Sequence, residues 1–225
     1  QLRDTFRAPR RIEAATGLAV IATLPSIGRR RTRAEVIRRL CDKPGSSLAE
    51  AARDLRAGVL RAEGAARPKV VMFTSSVPRE GKSTTALLVA LTNRRMGGPT
   101  IVVDCDFRRP AAGRALGVAA RAGLFEVLSG VATLDEAIEV EPDTGLHLLI
   151  PRKADPSGPP GTADLLASER FRELMRTLSA RYDLVVLDTP PTLVVADARQ
   201  LCAAADAVVY VVRWDHTPRG AVAEG

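Results

Sequence analysis

Three separated segments hold the residues of this 225-residue chain whose types and spacing could do chemistry. The first, SSVPREGKST at 75–84, ends in Gly-Lys-Ser-Thr like a phosphate-binding loop. The full pattern G-x-x-x-x-G-K-[ST] wants a glycine five places before Gly81, where Ser76 stands. Gly81 lets the backbone approach phosphates, and the amides of Pro78–Thr84, proline aside, are placed to point at them. Lys82 can reach β- and γ-phosphates, and the Ser83 hydroxyl can ligate Mg²⁺. The plainer alternative is an exposed Gly-Lys turn capped by Ser83. The second segment, LVVLDTPP, sets Asp188 after four apolar residues, where a Walker B aspartate holds the metal, usually through water. The third, IVVDCDFRRP, sets Asp104 and Asp106 two apart, followed by Arg108 and Arg109. A lone strand-end aspartate is often only a turn or cap residue. Together, the three segments point to a phosphoryl-transfer site that uses Mg²⁺.

Such residues converge only if the intervening chain builds one sheet edge. Val70–Thr74, Ile101–Asp104, Leu146–Ile150, Leu184–Asp188 and Ala207–Val212 are short β-branched runs without polar alternation, as in strands buried on both faces. Helices are predicted at Ser83–Arg95, around Leu124–Leu128, at Ser168–Arg181 and at Ala196–Ala204. The alternation predicts an α/β, doubly wound, mostly parallel sheet, whose strand C-termini gather where ligands bind. The strand–loop–helix setting of 69–91 is the context a phosphate loop requires. Upstream, Ser47-Leu-Ala-Glu50 reads as a capping box opening a helix, with Leu48, Ala52, Leu55 and Val59 on one face. Residues 1–45 read as a basic arm and 46–225 as the folded domain. Pro156–Gly161 reads as a loop, and no internal repeat is visible.

Composition narrows the remainder. With 46% hydrophobic residues but 4% aromatic, aliphatic side chains must fill the core. Cys41, Cys105 and Cys202 stand far apart, which argues against a disulfide framework or zinc site and fits a reducing compartment. The apolar stretch Leu18–Leu24 is too short to cross a bilayer. The net charge of +7 is dominated by arginine, densest at Arg29, Arg30, Arg31 and Arg33, with Arg7, Arg10 and Arg11 upstream. A solvated surface, a segment against anionic lipid and a nucleic-acid site are all readings of it; the lack of interleaved aromatics weighs against the last.

With these motifs in view, the chain resembles the cytoplasmic catalytic domain of bacterial tyrosine kinases of polysaccharide co-polymerase systems, a P-loop group with deviant Walker motifs. The resemblance runs through GLAVIATLP, SLAEAARDLR, TSSVPREGKSTTALLVAL, IVVDCDFRRP, GLFEVLSG, ADLLASERFREL and YDLVVLDTPPTLVVADA. It implies a family that tolerates the missing first glycine. It also implies that Lys82 and Ser83 bind ATP and Mg²⁺, that Asp104 and Asp188 support the metal, and that Asp106 accepts the proton of an attacking tyrosine hydroxyl. Arg108 matches the motif arginine. Glu50, Arg53 and Arg56 match a Glu-x-x-Arg-x-x-Arg pattern tied to ring-like self-association; the local alternative is a Glu50–Arg53 pair on the helix. The expected partners are other copies of the chain, a tyrosine-rich tail in trans and the membrane export machinery, at the cytoplasmic face of the inner membrane, with no nucleic acid.

The chain departs from the family in having no tyrosine-rich tail. Tyr182 and Tyr210 are its only tyrosines, and their places beside and within strands predict core residues. The resemblance leads one to expect a further helix and strand beyond the Thr217 region. A start without methionine reads as excision from a longer membrane protein. Two other functions stay open: a nucleotide-binding regulatory module without kinase activity, and a partition-type ATPase. That last group carries a signature lysine where this chain has Val77.

Overall fold

A computed structural model describes residues 4–26, 31–61, 67–152, 159–194 and 201–225. Six strands form one sheet in the order β3-β4-β2-β5-β1-β6. They are β1 (Val70–Ser75), β2 (Thr100–Asp104), β3 (Glu139–Val140), β4 (His147–Leu149), β5 (Leu184–Asp188) and β6 (Ala207–Val211). All pairings are parallel except β3 with β4, an antiparallel edge that the sequence pattern did not announce. The expected doubly wound α/β sheet is therefore present. Of Leu146–Ile150 only the central three residues pair as a strand.

Alternation along each strand sends side chains to two cores. Val71 and Phe73 of β1 join Val102 and Val186 on one face, and Val70 and Met72 join Val103 and Leu187 on the other. The first core is covered by α2 (Arg33–Asp42), α3 (Ser47–Leu60) and α4 (Lys82–Arg95). The second is covered by α6 (Leu124–Leu128) and α9 (Glu169–Arg181), with α7 (Leu134–Ala137) and α8 (Thr162–Ala167) beside them. Two further short helices, α1 (Pro9–Thr16) and α5 (Ala112–Leu116), lie along the chain, and α10 (Arg219–Glu224) follows β6.

Two expectations need correction. The segment 1–45 is not merely an arm: Phe6, Val36, Ile37 and Leu40 are buried, the last three in the same core as α3 and α4. Its helix α2 opens with a capping box, Thr32 with Glu35, a signal masked by the surrounding arginines. The box assigned to Ser47 and Glu50 also shifts. Ser46 is the extended N-cap and accepts from the Ala49 amide at 3.3 Å, while Glu50 reaches forward to Arg53. With adjacent serines, the Ser-x-x-Glu spacing selected the wrong one.

Of the helix expected at Ala196–Ala204, residues 196–200 lie outside the described residues, and Cys202–Ala204 is a short 3₁₀ turn. Part of the Pro156–Gly161 loop and Arg29 and Arg30 also lie outside them. Tyr182 is 4% exposed, as expected of a core residue. Tyr210 is only half-buried, because β6 is an edge strand. Among the described residues, no helix is long and apolar enough to cross a membrane.

Candidate active site

The site grows from β1. Its last residue, Ser75, leads into a loop that runs directly into α4, a helix with 11 of its 14 residues buried. The loop turns on two left-handed residues, Arg79 at φ 70° and Gly81 at φ 103°. Neither is the position where the full motif wants its first glycine. Ser76 does not need left-handed freedom, and its side chain has work of its own: its hydroxyl lies 2.8 Å from the Tyr210 hydroxyl. Arginine in a left-handed turn is uncommon and carries a small strain that the surrounding contacts must hold. Pro78, Arg79 and Gly81 are exposed at the tip, whereas Glu80 turns inward and is 5% exposed.

Parallel pairing in register brings the carboxylates together. Asp104 ends β2 directly opposite Asp188, which ends β5, and Phe73 of β1 pairs with Asp188 on the other side. Lys82, the first residue of α4, points into this edge. Its Nζ lies 3.1 Å from Asp188 Oδ1, 3.5 Å from Asp106 Oδ2 and 3.2 Å from Ser83 Oγ. Burial works against the ammonium, yet Asp188, Asp106 and Asp104 outweigh it and hold its pKa above the ordinary value. The structure thus unites Lys82, Ser83, Asp106 and Asp188, as the sequence led one to expect.

Asp104 plays a second part. Its Oδ1 accepts from the Asp106 amide at 3.1 Å, and its Oδ2 from the Ala111 and Ala112 amides at 2.7 and 3.0 Å. This carboxylate therefore ties down the loop that carries Asp106. Desolvation and then Asp188 push its pKa up to about 7, against the opposing pull of those amides and Lys82. Asp106 is fixed in turn by the Arg109 amide, which donates to its Oδ1 at 3.0 Å, while Arg108 is exposed beside it.

One buried oxygen has no protein partner among the described residues. Asp188 Oδ2 accepts no hydrogen bond, although Asp188 is 1% exposed. A buried carboxylate oxygen left without a donor is costly unless a cation or its water meets it. The donor set suits Mg²⁺, which takes one or two carboxylates plus phosphates and water rather than a full protein cage. Thr84 adds a contact that the sequence did not signal: its hydroxyl accepts from Arg33 Nε, in the first turn of α2, at 3.3 Å.

Comparison with known proteins agrees with this geometry. The AAA domain family matches residues 71–220, the span from β1 to the start of α10. Tyrosine-protein kinase YwqD of Bacillus subtilis is 36% identical over 172 residues, covering 76% of this chain and 70% of its own. The chain belongs to the bacterial tyrosine-kinase family. Within that family, the kinase domain of Escherichia coli tyrosine kinase ETK superposes with a TM-score of 0.84 at 27% identity, covering 97% of this chain and 87% of the other. The succinoglycan biosynthesis transport protein ExoP of Rhizobium meliloti is 30% identical over 177 residues. The match covers 79% of this tyrosine-kinase-family chain but 22% of ExoP.

Proposed function

We propose that this chain is an ATP-dependent protein-tyrosine kinase domain of a polysaccharide chain-length or export system, working at the cytoplasmic face of the inner membrane. The observation that carries the reading is the buried Lys82–Asp188–Asp106 constellation at the shared strand edge, with one Asp188 oxygen left for a cation. Mg²⁺ with ATP supplies the phosphoryl group and neutralises charge during transfer. The loop from Pro78 to Thr84 cradles the phosphates through the amides of Arg79–Thr84, and Arg33 adds positive charge behind Thr84. Lys82 exchanges its carboxylate partners for phosphate oxygens. Ser83 and Asp188 hold the metal, with Asp104 supporting it and keeping the Asp106 loop in place. Asp106 orients the tyrosine hydroxyl and takes its proton. A tyrosine hydroxyl has a pKa near ~10, so the proton leaves late and charge stabilisation matters more than base strength. Arg108 stands exposed next to the base, where an incoming acceptor segment would pass.

The acceptor must come from elsewhere. Tyr182 is buried with its hydroxyl 2.8 Å from His147 Nδ1, and the Tyr210 hydroxyl is engaged with Ser76. Neither can present its oxygen in line with a γ-phosphate. The acceptor in this reading is a tyrosine-rich tail, carried by a longer form of the chain, by a neighbouring copy or by a separate peptide. Incubation with Mg-ATP and a tyrosine-rich peptide, followed by mass spectrometry, tests this. Phosphate is expected on the peptide and only in traces on the protein. Near-stoichiometric label on Tyr182 or Tyr210 overturns the buried-acceptor reading. ATP binding without any transfer favours the regulatory module instead.

Self-association through α3 completes the proposal. The Glu50–Arg53 pair is exposed at 2.5 Å, and Arg53 also donates to the Pro44 carbonyl at 3.0 Å. Arg56 differs, since its Nε donates at 2.8 Å to Oδ1 of the fully buried Asn93. Removing Arg56 would orphan that buried acceptor, so the surface test keeps it. Glu50→Ala with Arg53→Ala is expected to leave a folded monomer where the parent forms a larger species. An unchanged mass by light scattering at matched concentration would return Glu50 and Arg53 to a local role.

A further inference from the structure

The phosphate loop is held from outside its own motif. Glu80 is a carboxylate buried to 5% exposure within the loop, and both its oxygens are engaged. One accepts from the Val77 amide at 2.9 Å, which closes the loop on itself. The other accepts from the Thr217 hydroxyl, more than a hundred residues away in sequence. Thr217 is fully buried in the turn between β6 and α10. Its hydroxyl accepts from the Arg213 amide at 2.9 Å and has one proton to give; the Arg213 carbonyl also lies within reach at 3.3 Å, but the Glu80 carboxylate is the stronger acceptor. The same turn takes a second hold, because Arg213 Nη1 donates to the carbonyl of Arg79 at 3.0 Å. Arg79 is the left-handed residue of the loop.

We infer that Thr217 is a positioning residue for nucleotide binding: through Glu80 it fixes the phosphate-loop amides in the direction that phosphates require. The inference rests on the kinase reading above and adds a residue outside the three motifs. The geometry gives it a reason. Amides that must converge on an anion lose affinity if the loop that carries them can relax, because the ordering cost then falls on binding. A charge-assisted bond from a buried hydroxyl to a buried carboxylate is stronger than a neutral one and removes that freedom in advance. The turn is itself anchored at its other end. Asp215 Oδ1 accepts from Arg7 Nε and Thr5 Oγ1, each at 2.8 Å, and the Asp215 amide donates to the Phe6 carbonyl at 2.9 Å. The brace therefore runs from the first described residues to the phosphate loop.

Calorimetric titration with Mg-ADP compares the parent with Thr217→Val and Thr217→Ser. Valine keeps the volume and removes the hydroxyl; serine keeps the hydroxyl. Thr217→Val is expected to raise Kd about tenfold, equivalent to about 1.4 kcal/mol. Thr217→Ser is expected to stay within about twofold of the parent. With ATP and a tyrosine peptide, the valine variant should raise KM and leave kcat nearly unchanged. Equal affinity of parent and Thr217→Val overturns the inference, and so does equal weakening by valine and serine, since packing alone would then account for the loss. If Thr217→Val does not melt cooperatively, Thr217→Ala replaces it beside Thr217→Ser. Parent-like affinity with alanine, or equal weakening by alanine and serine, then overturns the inference in the same way. A parent that does not bind Mg-ADP would instead overturn the nucleotide-site reading itself, and the brace with it.

Discussion

Lys82→Met is expected to lower kcat/KM for tyrosine-peptide phosphorylation about 10³-fold, at the upper end of what one charge-stabilising donor contributes to a transition state. The methionine fills the same channel without the charge that the transferring phosphoryl group needs. A second effect follows from where the lysine sits. At 8% exposure it is the only cation hydrogen-bonded to Asp106 and Asp188 among the described residues, so its loss leaves buried negative charge uncompensated. Breaking such a pair costs about 3 kcal/mol, short of most domains' total stability, so the variant should still fold. The deficit should depend on pH. Asp104 has its pKa raised to about 7, and its native state holds a proton that an unfolded aspartate gives up near pH ~4. Asp104 is neutral in parent and variant below pH 7. Above it the parent ionises Asp104 beside Lys82, whereas the variant has no ammonium to offset that charge. The stability gap between the two is therefore expected to widen as pH rises through about 7. Phosphate incorporation checks the first effect and paired thermal melts at pH 6 and 8 the second. Parent-like phosphorylation by the methionine variant would remove Lys82 from the site.

Asp188→Asn is the other large expected effect. Asparagine retains the shape of the side chain and one carbonyl oxygen toward Lys82, yet it removes the charge and turns an NH₂ group toward the pocket. A metal ion stabilises several kcal/mol of developing charge in phosphoryl transfer, so its misplacement should lower kcat/KM about 10³-fold. The Mg²⁺ concentration for half-maximal activity should rise with it. The decisive point is the unpartnered Asp188 Oδ2, which has no structural bond to lose. If that oxygen serves the metal, the asparagine variant has a changed Mg²⁺ requirement. A variant with parent-like activity and an unshifted Mg²⁺ titration would show that the orphaned oxygen serves no cation.

Much of this site was legible because each part announces itself locally. A strand that ends in an aspartate and a loop that ends in Gly-Lys-Ser are short-range patterns, and parallel register then brings Asp104 opposite Asp188. The contacts that hold those parts were not legible, since they join residues with no mutual spacing. Arg33 reaching Thr84, Tyr210 reaching Ser76 and Thr217 reaching Glu80 depend on how α2, β6 and the following turn pack. Arginine-rich composition hid α2 for a different reason: the three apolar residues Val36, Ile37 and Leu40 suffice for one buried face among many charges. Even Ser76, seemingly a defect of the motif, fits because the left-handed turns fall at Arg79 and Gly81 instead.

The near-complete burial of α4 has a kinetic consequence. Beyond its first turn, its backbone amides can exchange with solvent only when the core it shares with α2 and α3 opens, which ties their exchange to large-scale unfolding. The helix that begins at the phosphates cannot tilt or slide as a lever when nucleotide turns over. In deuterium labelling, the exposed loop amides of Arg79 and Gly81 should exchange early and slow down when Mg-ADP is added, while the amides of α4 beyond its first turn stay dark throughout.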